Sequence, residues 1–484
     1  MILKRFYDDL LAQASYLLAC ESTGQALVVD PNRDIAQYLD AAAADSLTIV
    51  CVTETHIHAD FVSGARDLAA AAGATLAVSA EGGPDWQYRT AGDSAAPQPR
   101  AIVPLAEGDE LRAGTIRLDV LHTPGHTPEH LAFLVTDTSV SERPVGLLSG
   151  DFIFVGDVGR PDLLERAAHV AGTMESSARD LYRSLRRAAE LPDYLQLWPG
   201  HGAGSACGKA LGALPQSTLG YERIANPALR HADERAFVAD ILSAQPEPPR
   251  YFARMKRVNR DGLPPAPRGA PPRMTTDDVR RAIADRTLVV DTRPSAAFVQ
   301  RFVPGTLCVP KSKSFLAYFG AVAPEECAVV LLVSSADDVP VLTRWLGLIG
   351  FDRVTGWALA GDVIDAVAKS GETLATMRTT DVHEMQARIS ASTPPLVLDV
   401  RGAGERALGQ IPGATGVALG MLDEWAAGGT APGTPLLLHC QTGTRAVIGA
   451  SVLVARGFHD VTSVIGGFEA WTSAGFPVDT SSPQ

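Results

Sequence analysis

Cysteine is scarce in this 484-residue chain: six residues (Cys20, Cys51, Cys207, Cys308, Cys327, Cys440), with no C-x-x-C pair and no framework spacing. That excludes a disulfide scaffold and suits a reducing compartment, so any special cysteine here is reactive rather than structural. Positive charge is short as well, with 42 Lys and Arg against 55 Asp and Glu and a net charge of −13. Such a field repels a phosphate backbone, which excludes nucleic acid as a partner. The N-terminus has no uninterrupted apolar run, because Lys4, Arg5, Asp8 and Asp9 break it. Neither a signal-peptide core nor a membrane span is expected there, and a cytoplasmic enzyme without a membrane partner is the default. What remains is ordinary globular material, 46% hydrophobic and 20% charged, which excludes wholesale disorder. At one domain per about 150 residues, the length provides for about three domains.

A Pro- and Arg-rich stretch divides the chain. It begins at Gln245-Pro246-Glu247-Pro248-Pro249 and continues through Pro264, Pro265, Pro267, Pro271 and Pro272. With little apolar periodicity, residues 246–272 read as a linker. An internal repeat follows: L-V-V-D-T-R at 288–293 returns as L-V-L-D-V-R at 396–401, and the pairs Asp291/Asp399, Arg293/Arg401, Pro304/Pro412 and Gly305/Gly413 share one offset. Two copies of one domain, 273–372 and 376–484, fit this pattern. Within each copy short β-branched runs alternate with helical patterns, the sign of a parallel sheet covered by helices. Before the stretch, residues 1–245 predict strands near 47–53, 75–79, 115–121, 131–136, 145–149 and 194–198, with helices near 61–73 and 175–189. Two sheets flanked by helices would accommodate them in one domain.

Four of those strands run into loops bearing metal-ligand types. Thr55-His56-Ile57-His58-Ala59-Asp60-Phe61 follows the first; Thr123-Pro124-Gly125-His126-Thr127, Ser149-Gly150-Asp151 and Pro199-Gly200-His201-Gly202 follow three others. Imidazole and carboxylate at successive strand ends converge on a metal. His122, His130 and His169 have no spacing that calls for one. Cys20 and Cys51 sit in apolar runs and read as inert core thiols. Cys207, six residues beyond His201 in a Gly-rich segment, is equally compatible with the active site and with a buried structural place.

H-x-H-x-D, T-P-G-H-T, S-G-D and P-G-H-G, in this order, resemble the metallo-β-lactamase superfamily over roughly the first half of the chain. The family pattern continues with a His where this sequence has Phe61, and that His helps to hold a second metal. Its loss disfavours a paired-metal hydrolase of the glyoxalase II kind. Two His and one carboxylate with open positions form the facial triad of non-haem Fe(II) oxygenases. Persulfide dioxygenases within the superfamily have that arrangement. The resemblance implies one Fe(II) per chain on His56, His126 and Asp151, with His58, Asp60 and His201 orienting ligands or water; spacing alone does not exclude His58. Gly156-Asp157-Val158-Gly159-Arg160-Pro161-Asp162 also resembles the family's loop after the metal-binding Asp, which makes Arg160 the expected partner of an anionic substrate.

Near the C-terminus, Leu436-Leu437-Leu438-His439-Cys440 reads as a strand ending in a cysteine, followed by Gln441-Thr442-Gly443-Thr444-Arg445 and an apolar helix. A thiolate there would face backbone N–H groups at a helix N-terminus, with Arg445 adding positive charge. With L-V-L-D-V-R upstream, Ile411-Pro412-Gly413-Ala414 between and Gly466-Gly467-Phe468-Glu469-Ala470-Trp471 downstream, this resembles a rhodanese domain, the family that carries sulfane sulfur as a cysteine persulfide. In the middle copy Cys440 falls on Val333 and Arg445 on Asp338. That loop has no nucleophile and carries acid where a cation belongs. Cys308 and Cys327 lie out of register and read as structural.

The fold expected is therefore α/β multidomain: an αββα metallo-β-lactamase fold, then two α/β rhodanese-like domains, the first inactive. The resemblance implies oxidation of a low-molecular-weight thiol persulfide by dioxygen to sulfite and thiol. Cys440 would then pass sulfane sulfur to sulfite, giving thiosulfate, with Cys207 as a further candidate for this step. A Zn-dependent thioester hydrolase and a non-catalytic sulfur carrier or sensor are the alternatives, and homo-oligomer formation is left open.

Overall fold

The computed structural model describes residues 1–89, 98–166, 172–243, 245, 247–267 and 269–480. His169 lies outside the described residues, as do Pro246 and Arg268 of the proline-rich stretch and the last four residues of the chain. Two compact units result, residues 1–267 with 347–350, and 268–346 with 351–484. Among the described residues no helix is long and apolar enough to cross a membrane.

The first unit has two six-stranded sheets. One runs in the order Ile2–Asp8, Gln13–Ala19, Gln25–Val29, Thr48–Thr53, Thr75–Ser79 and Ala101–Leu105; the other in the order Ser217–Thr218, Gln196–Pro199, Gly146–Gly150, Leu131–Asp137, Ile116–His122 and Glu110–Ala113. Strand alternation separates the faces. Tyr16, Leu18, Leu27 and Val29 meet Leu118, Val120, Phe133 and Leu148 between the sheets. Leu17, Val28 and Val52 of the first sheet pack on Tyr38, Leu68 and Ala69 of the helices Ala36–Ala44 and Ala65–Ala72. On the far side, Ala132, Leu147 and Leu197 pack on Ala178, Leu181, Leu185, Phe237 and Ile241 of the helices Met174–Ala188 and Glu234–Leu242. This is the expected αββα layering. Gly146–Gly150 and Gln196–Pro199 are parallel, so Asp151 and His201 emerge at the same end.

The expected linker is corrected. Phe252–Asp261 is a helix with Phe252, Met255 and Val258 buried, a helical spacing that the flanking prolines concealed. Asn259 donates to the carbonyls of His58 and Phe61 at 2.7 and 2.8 Å and accepts from Ser63 N–H at 2.9 Å, while Tyr251 OH donates to the Asp60 carbonyl at 2.8 Å. The segment thus belongs to the first unit and clamps the backbone of its histidine loop.

The second unit has two parallel sheets of matching strand order. One is Leu307–Cys308, Leu288–Asp291, Val329–Val333, Val354–Leu359; the other is Thr415–Gly416, Leu396–Asp399, Leu436–His439, Val461–Val464, Arg378–Thr380. Asp291 pairs with Leu332 and Asp399 with His439, which puts Val333 where the second copy has Cys440. The two copies share apolar contacts: Phe298, Phe302 and Cys308 lie in one cluster with Leu398, Val400, Ile448 and Leu453, and Cys308 N–H donates to Ser451 Oγ at 3.0 Å. Cutting the middle copy away would expose the packing surface of the Thr444–Ala455 helix.

An Asp–Arg pair closes the second strand in the order of each sheet. Arg401 Nη2 is 2.7 Å from Asp399, both nearly inaccessible, and Arg293 is 2.6 Å from Asp291. Burial pushes the Asp399 carboxyl up, but Arg401 and His439 outweigh it and hold the group below the ordinary carboxylate value. Asp399→Asn should lower stability by about 3–5 kcal/mol, because it strands a buried guanidinium. Urea unfolding of the variant against wild type measures this. The wild-type contribution is present above the unfolded carboxylate pKa and fades as pH falls through the lower folded value.

Candidate metal centre and cysteine loop

Each donor at the strand ends is oriented by the fold. Thr55 N–H and Oγ1–H both donate to Asp30, at 2.6 and 2.9 Å. With its proton so used, Thr55 Oγ1 accepts from His56 Nδ1 at 2.9 Å, leaving the His56 Nε2 lone pair free. His126 Nδ1 donates to the Arg160 carbonyl at 3.0 Å and His201 Nδ1 to the Ala12 carbonyl at 3.1 Å, which fixes their Nε2 atoms likewise. Asp151 is held through its backbone, whose N–H donates to His130 Nε2 at 3.1 Å. The glycines of two motifs follow from the same crowding: a Cβ on Gly159 would stand 1.8 Å from the Asp151 carbonyl oxygen, and one on Gly200 2.8 Å from Asp151 Oδ1.

His56, His126 and Asp151 form one buried three-donor group, with ligand atoms within 4.8 Å of one another. His56 Nε2, His126 Nε2 and both Asp151 oxygens have no hydrogen-bond partner. Buried polar atoms are rarely left so, and a cation between them satisfies the two imidazole nitrogens and Asp151 Oδ2, the oxygen that faces both. Burial lowers the pKa of both His56 and His126, which keeps them as the neutral imidazoles a metal requires. The residues present therefore fit a metal ion.

His58 is outside this group. Its Nε2 faces Asp30 at 3.3 Å and Glu54 at 3.8 Å. Burial alone would depress it, but those carboxylates and Asp60 raise it to about 9. Phe61 is buried with its ring 4.3 Å from that of His58.

Asp60, His201 and Cys207 form a second three-donor group. His201 Nε2 lies 3.3 Å from Asp60 Oδ2 and 3.5 Å from Asp151 Oδ1, so Asp151 turns one oxygen to each group. Asp60 and His201, expected to orient ligands, thus lie against the ligand Asp151, and Cys207 joins them at the site. Burial, reinforced by Asp60 and Asp151, holds the Cys207 thiol well above its ordinary pKa. Arg160 is corrected too. It is fully buried, forked onto Asp162 at 2.8 Å through Nε and Nη2, and donates to the Ala206 carbonyl at 3.1 Å. Rather than meeting substrate, it ties the 156–162 loop to the one carrying Cys207 and presents its carbonyl to His126.

Several contributors carried no sequence signal. Asp30, at a positive φ of 53°, Glu54, which accepts from Tyr88 OH, and Glu129, which accepts from Ile57 N–H at 2.8 Å, are single residues in unremarkable contexts. Burial raises Glu129 to about 7. Of the two thiols expected to be inert, burial raises Cys51 to about 12, whereas hydrogen bonds from Ser22 and Thr115 draw the enclosed Cys20 down to about 5.

In the second unit Cys440 is buried, and Gly443 N–H donates to its Sγ at 3.1 Å. Phe468 and Glu469 N–H groups hold the carbonyls of Cys440 and Gln441 at 2.7 and 3.0 Å. Arg445 is paired: its two terminal nitrogens each lie 2.6 Å from a Glu405 oxygen. In the middle copy Lys311 contacts Asp338 at 2.5 Å, and Val333 offers no nucleophile.

Residues 8–201 match the model of the metallo-β-lactamase superfamily and residues 381–474 that of the rhodanese-like domain. A hydroxyacylglutathione hydrolase of Methylococcus capsulatus is 30% identical over 261 residues, 52% of this chain and 88% of that one. A solved metallo-β-lactamase of Staphylococcus aureus is 40% identical with a TM-score of 0.66, covering 74% of this chain and 99% of that one. That coverage reaches beyond residues 1–267 into the second unit. The chain spans about half (54%) of a β-lactamase hydrolase-like protein of Xylella fastidiosa, to which it is 28% identical. The chain belongs to the metallo-β-lactamase superfamily. It carries in addition a C-terminal rhodanese-like domain, with Cys440 and Arg445 inside the matched segment.

Proposed function

We propose that the first unit is an iron-dependent persulfide dioxygenase and that the rhodanese-like domain transfers sulfane sulfur through Cys440. The observation that carries this reading is the buried group of two neutral imidazoles and one carboxylate without hydrogen-bond partners, the donor set of non-haem Fe(II) oxygenases. A cysteine loop of the sulfurtransferase type on the same chain supplies the substrate class. One low-molecular-weight thiol persulfide, one dioxygen and one water give one thiol, one sulfite and two protons. Iron(II) held by His56, His126 and Asp151 would supply the redox chemistry toward dioxygen. The chain supplies the rest: Thr55, the Arg160 carbonyl and His130 fix the donors, and His58 lies with its ring 4.3 Å from that of His56, where it would orient the persulfide. The middle copy, lacking a cysteine at Val333, serves as an inactive rhodanese-like support.

A second reading, a zinc-dependent thioester hydrolase, is favoured by Asp60, His201 and Cys207 sharing Asp151, since paired metals suit hydrolysis, and by the hydroxyacylglutathione hydrolase relative. Metal analysis of anaerobically purified protein, with oxygen uptake on glutathione persulfide, separates the readings. One iron per chain and oxygen uptake support the first. Two zinc ions and oxygen-independent hydrolysis of S-lactoylglutathione would replace it. A sulfur carrier or sensor would show neither activity.

The raised Cys207 pKa has a consequence for metal content. A second ion must displace the Cys207 proton, so loading of that group should be weak at neutral pH and increase as pH rises. Zinc titration should load the second group more weakly at pH 7 than at higher pH, and Cys207→Ser should remove that pH dependence.

A further inference from the structure

Arg445 is the cation nearest in sequence to the Cys440 loop, yet it is not available to an incoming anion. Glu405, from the helix Ala403–Ala407, meets both its terminal nitrogens at 2.6 Å and also accepts the Gly402 N–H at 3.1 Å. The second contact anchors the carboxylate independently of Arg445. Side-chain exposure is 23% for Arg445 and 38% for Glu405, so both remain open to solvent on one side. Burial would raise the Glu405 carboxyl, but Arg445 and the Gly402 N–H outweigh it and keep the group ionised at neutral pH. An oxyanion approaching the guanidinium therefore meets a carboxylate already in the bidentate position it would itself occupy.

We propose that Glu405 is a charge-selecting residue of the Cys440 site, disfavouring dianions such as thiosulfate relative to substrates with one negative charge at the reacting group. This rests on the reading of Cys440 as a sulfane-sulfur carrier and deepens it. Hydrogen sulfite, a monoanion, takes the outer sulfur of the Cys440 persulfide: the S–S bond breaks, Cys440 keeps the electron pair as thiolate, a proton is released and thiosulfate forms. The product is a dianion, so Glu405 weakens its rebinding and limits product inhibition. Glu405 acts through Arg445 and through the field, not on the reacting sulfur.

The test runs on the full-length protein with two donors of equal chemistry and unequal charge. The Cys440 thiolate attacks the outer sulfur of thiosulfate, releasing sulfite, or that of methanethiosulfonate, releasing methanesulfinate. With cyanide as acceptor, Glu405→Gln should lower KM about tenfold for thiosulfate and about threefold for methanethiosulfonate, since the repulsion removed scales with ligand charge. The change should appear in KM and not in kcat, shrink in high salt, and be largely reversed in Glu405→Asp. Equal KM changes for the two donors, or none, overturn the proposal. If neither donor adds the mass of one sulfur atom to the wild-type Cys440 peptide, the carrier reading itself fails and takes the proposal with it.

Discussion

Alanine at His56, His126 or Asp151 is expected to abolish oxygen consumption on glutathione persulfide and to strip the first unit of its metal, while Cys440 still accepts sulfur from thiosulfate. The expectation rests on orphaned atoms. His56 Nε2, His126 Nε2 and Asp151 Oδ2 satisfy one another only through an ion, so removing one donor leaves two and an open, weakly held site. Loss of metal should be near complete, to below about 0.1 ion per chain after dialysis against chelator. Asp151→Ala should be the most damaging, because Asp151 also faces His201 at 3.5 Å and its loss weakens the second donor group. His58→Ala makes the contrast. It removes an imidazole paired with Asp30 rather than a member of the group, so metal should largely stay and the loss should fall on persulfide binding. Stoichiometric zinc with full oxygen uptake would sink the dioxygenase reading.

The layering and the loops that bring His56, His126, Asp151 and His201 together were legible in the sequence because each follows an apolar strand, and strand ends in a parallel arrangement share one side. Tautomers were not legible. They depend on the Thr55 proton going to Asp30 and on the carbonyls of Ala12 and Arg160, contacts between segments far apart in the chain. Arg160 was misjudged because its motif says which loop it is on and not which way it faces; Asp162, two residues on, captures it. Proline density concealed the helix Phe252–Asp261, whose buried Asn259 shows its part only through its hydrogen bonds with the histidine loop. Glu405 was missed for a different reason. It belongs to the segment after the strand Leu396–Asp399, and nothing in spacing alone pairs it with an arginine 40 positions later.

Serine at Cys440 is expected to leave oxygen uptake and sulfite release intact and to remove most thiosulfate, so that the sulfite-to-thiosulfate ratio at matched oxygen uptake rises at least about tenfold. Serine conserves the size of a side chain that is 1% exposed, and the loop stays anchored through the Phe468 and Glu469 N–H groups, so folding should survive. What is lost is nucleophilicity, because a hydroxyl is not ionised near neutral pH and cannot form a persulfide. Arg445→Ala should reduce thiosulfate less, since the Gly443 N–H that supports the sulfur at 3.1 Å remains. It also leaves Glu405 beside the loop without its counter-charge, so its residual defect should be heavier for thiosulfate as donor than for methanethiosulfonate. A control for the uncatalysed reaction of sulfite with persulfide sets the baseline. An unchanged ratio in Cys440→Ser would move thiosulfate formation to another thiol, and Cys207, buried beside Asp60 and His201, is the one to replace next. Loss of oxygen uptake together with thiosulfate would mean that Cys440 must turn over before the first unit can, and the two half-reactions would have to be rewritten as one coupled cycle.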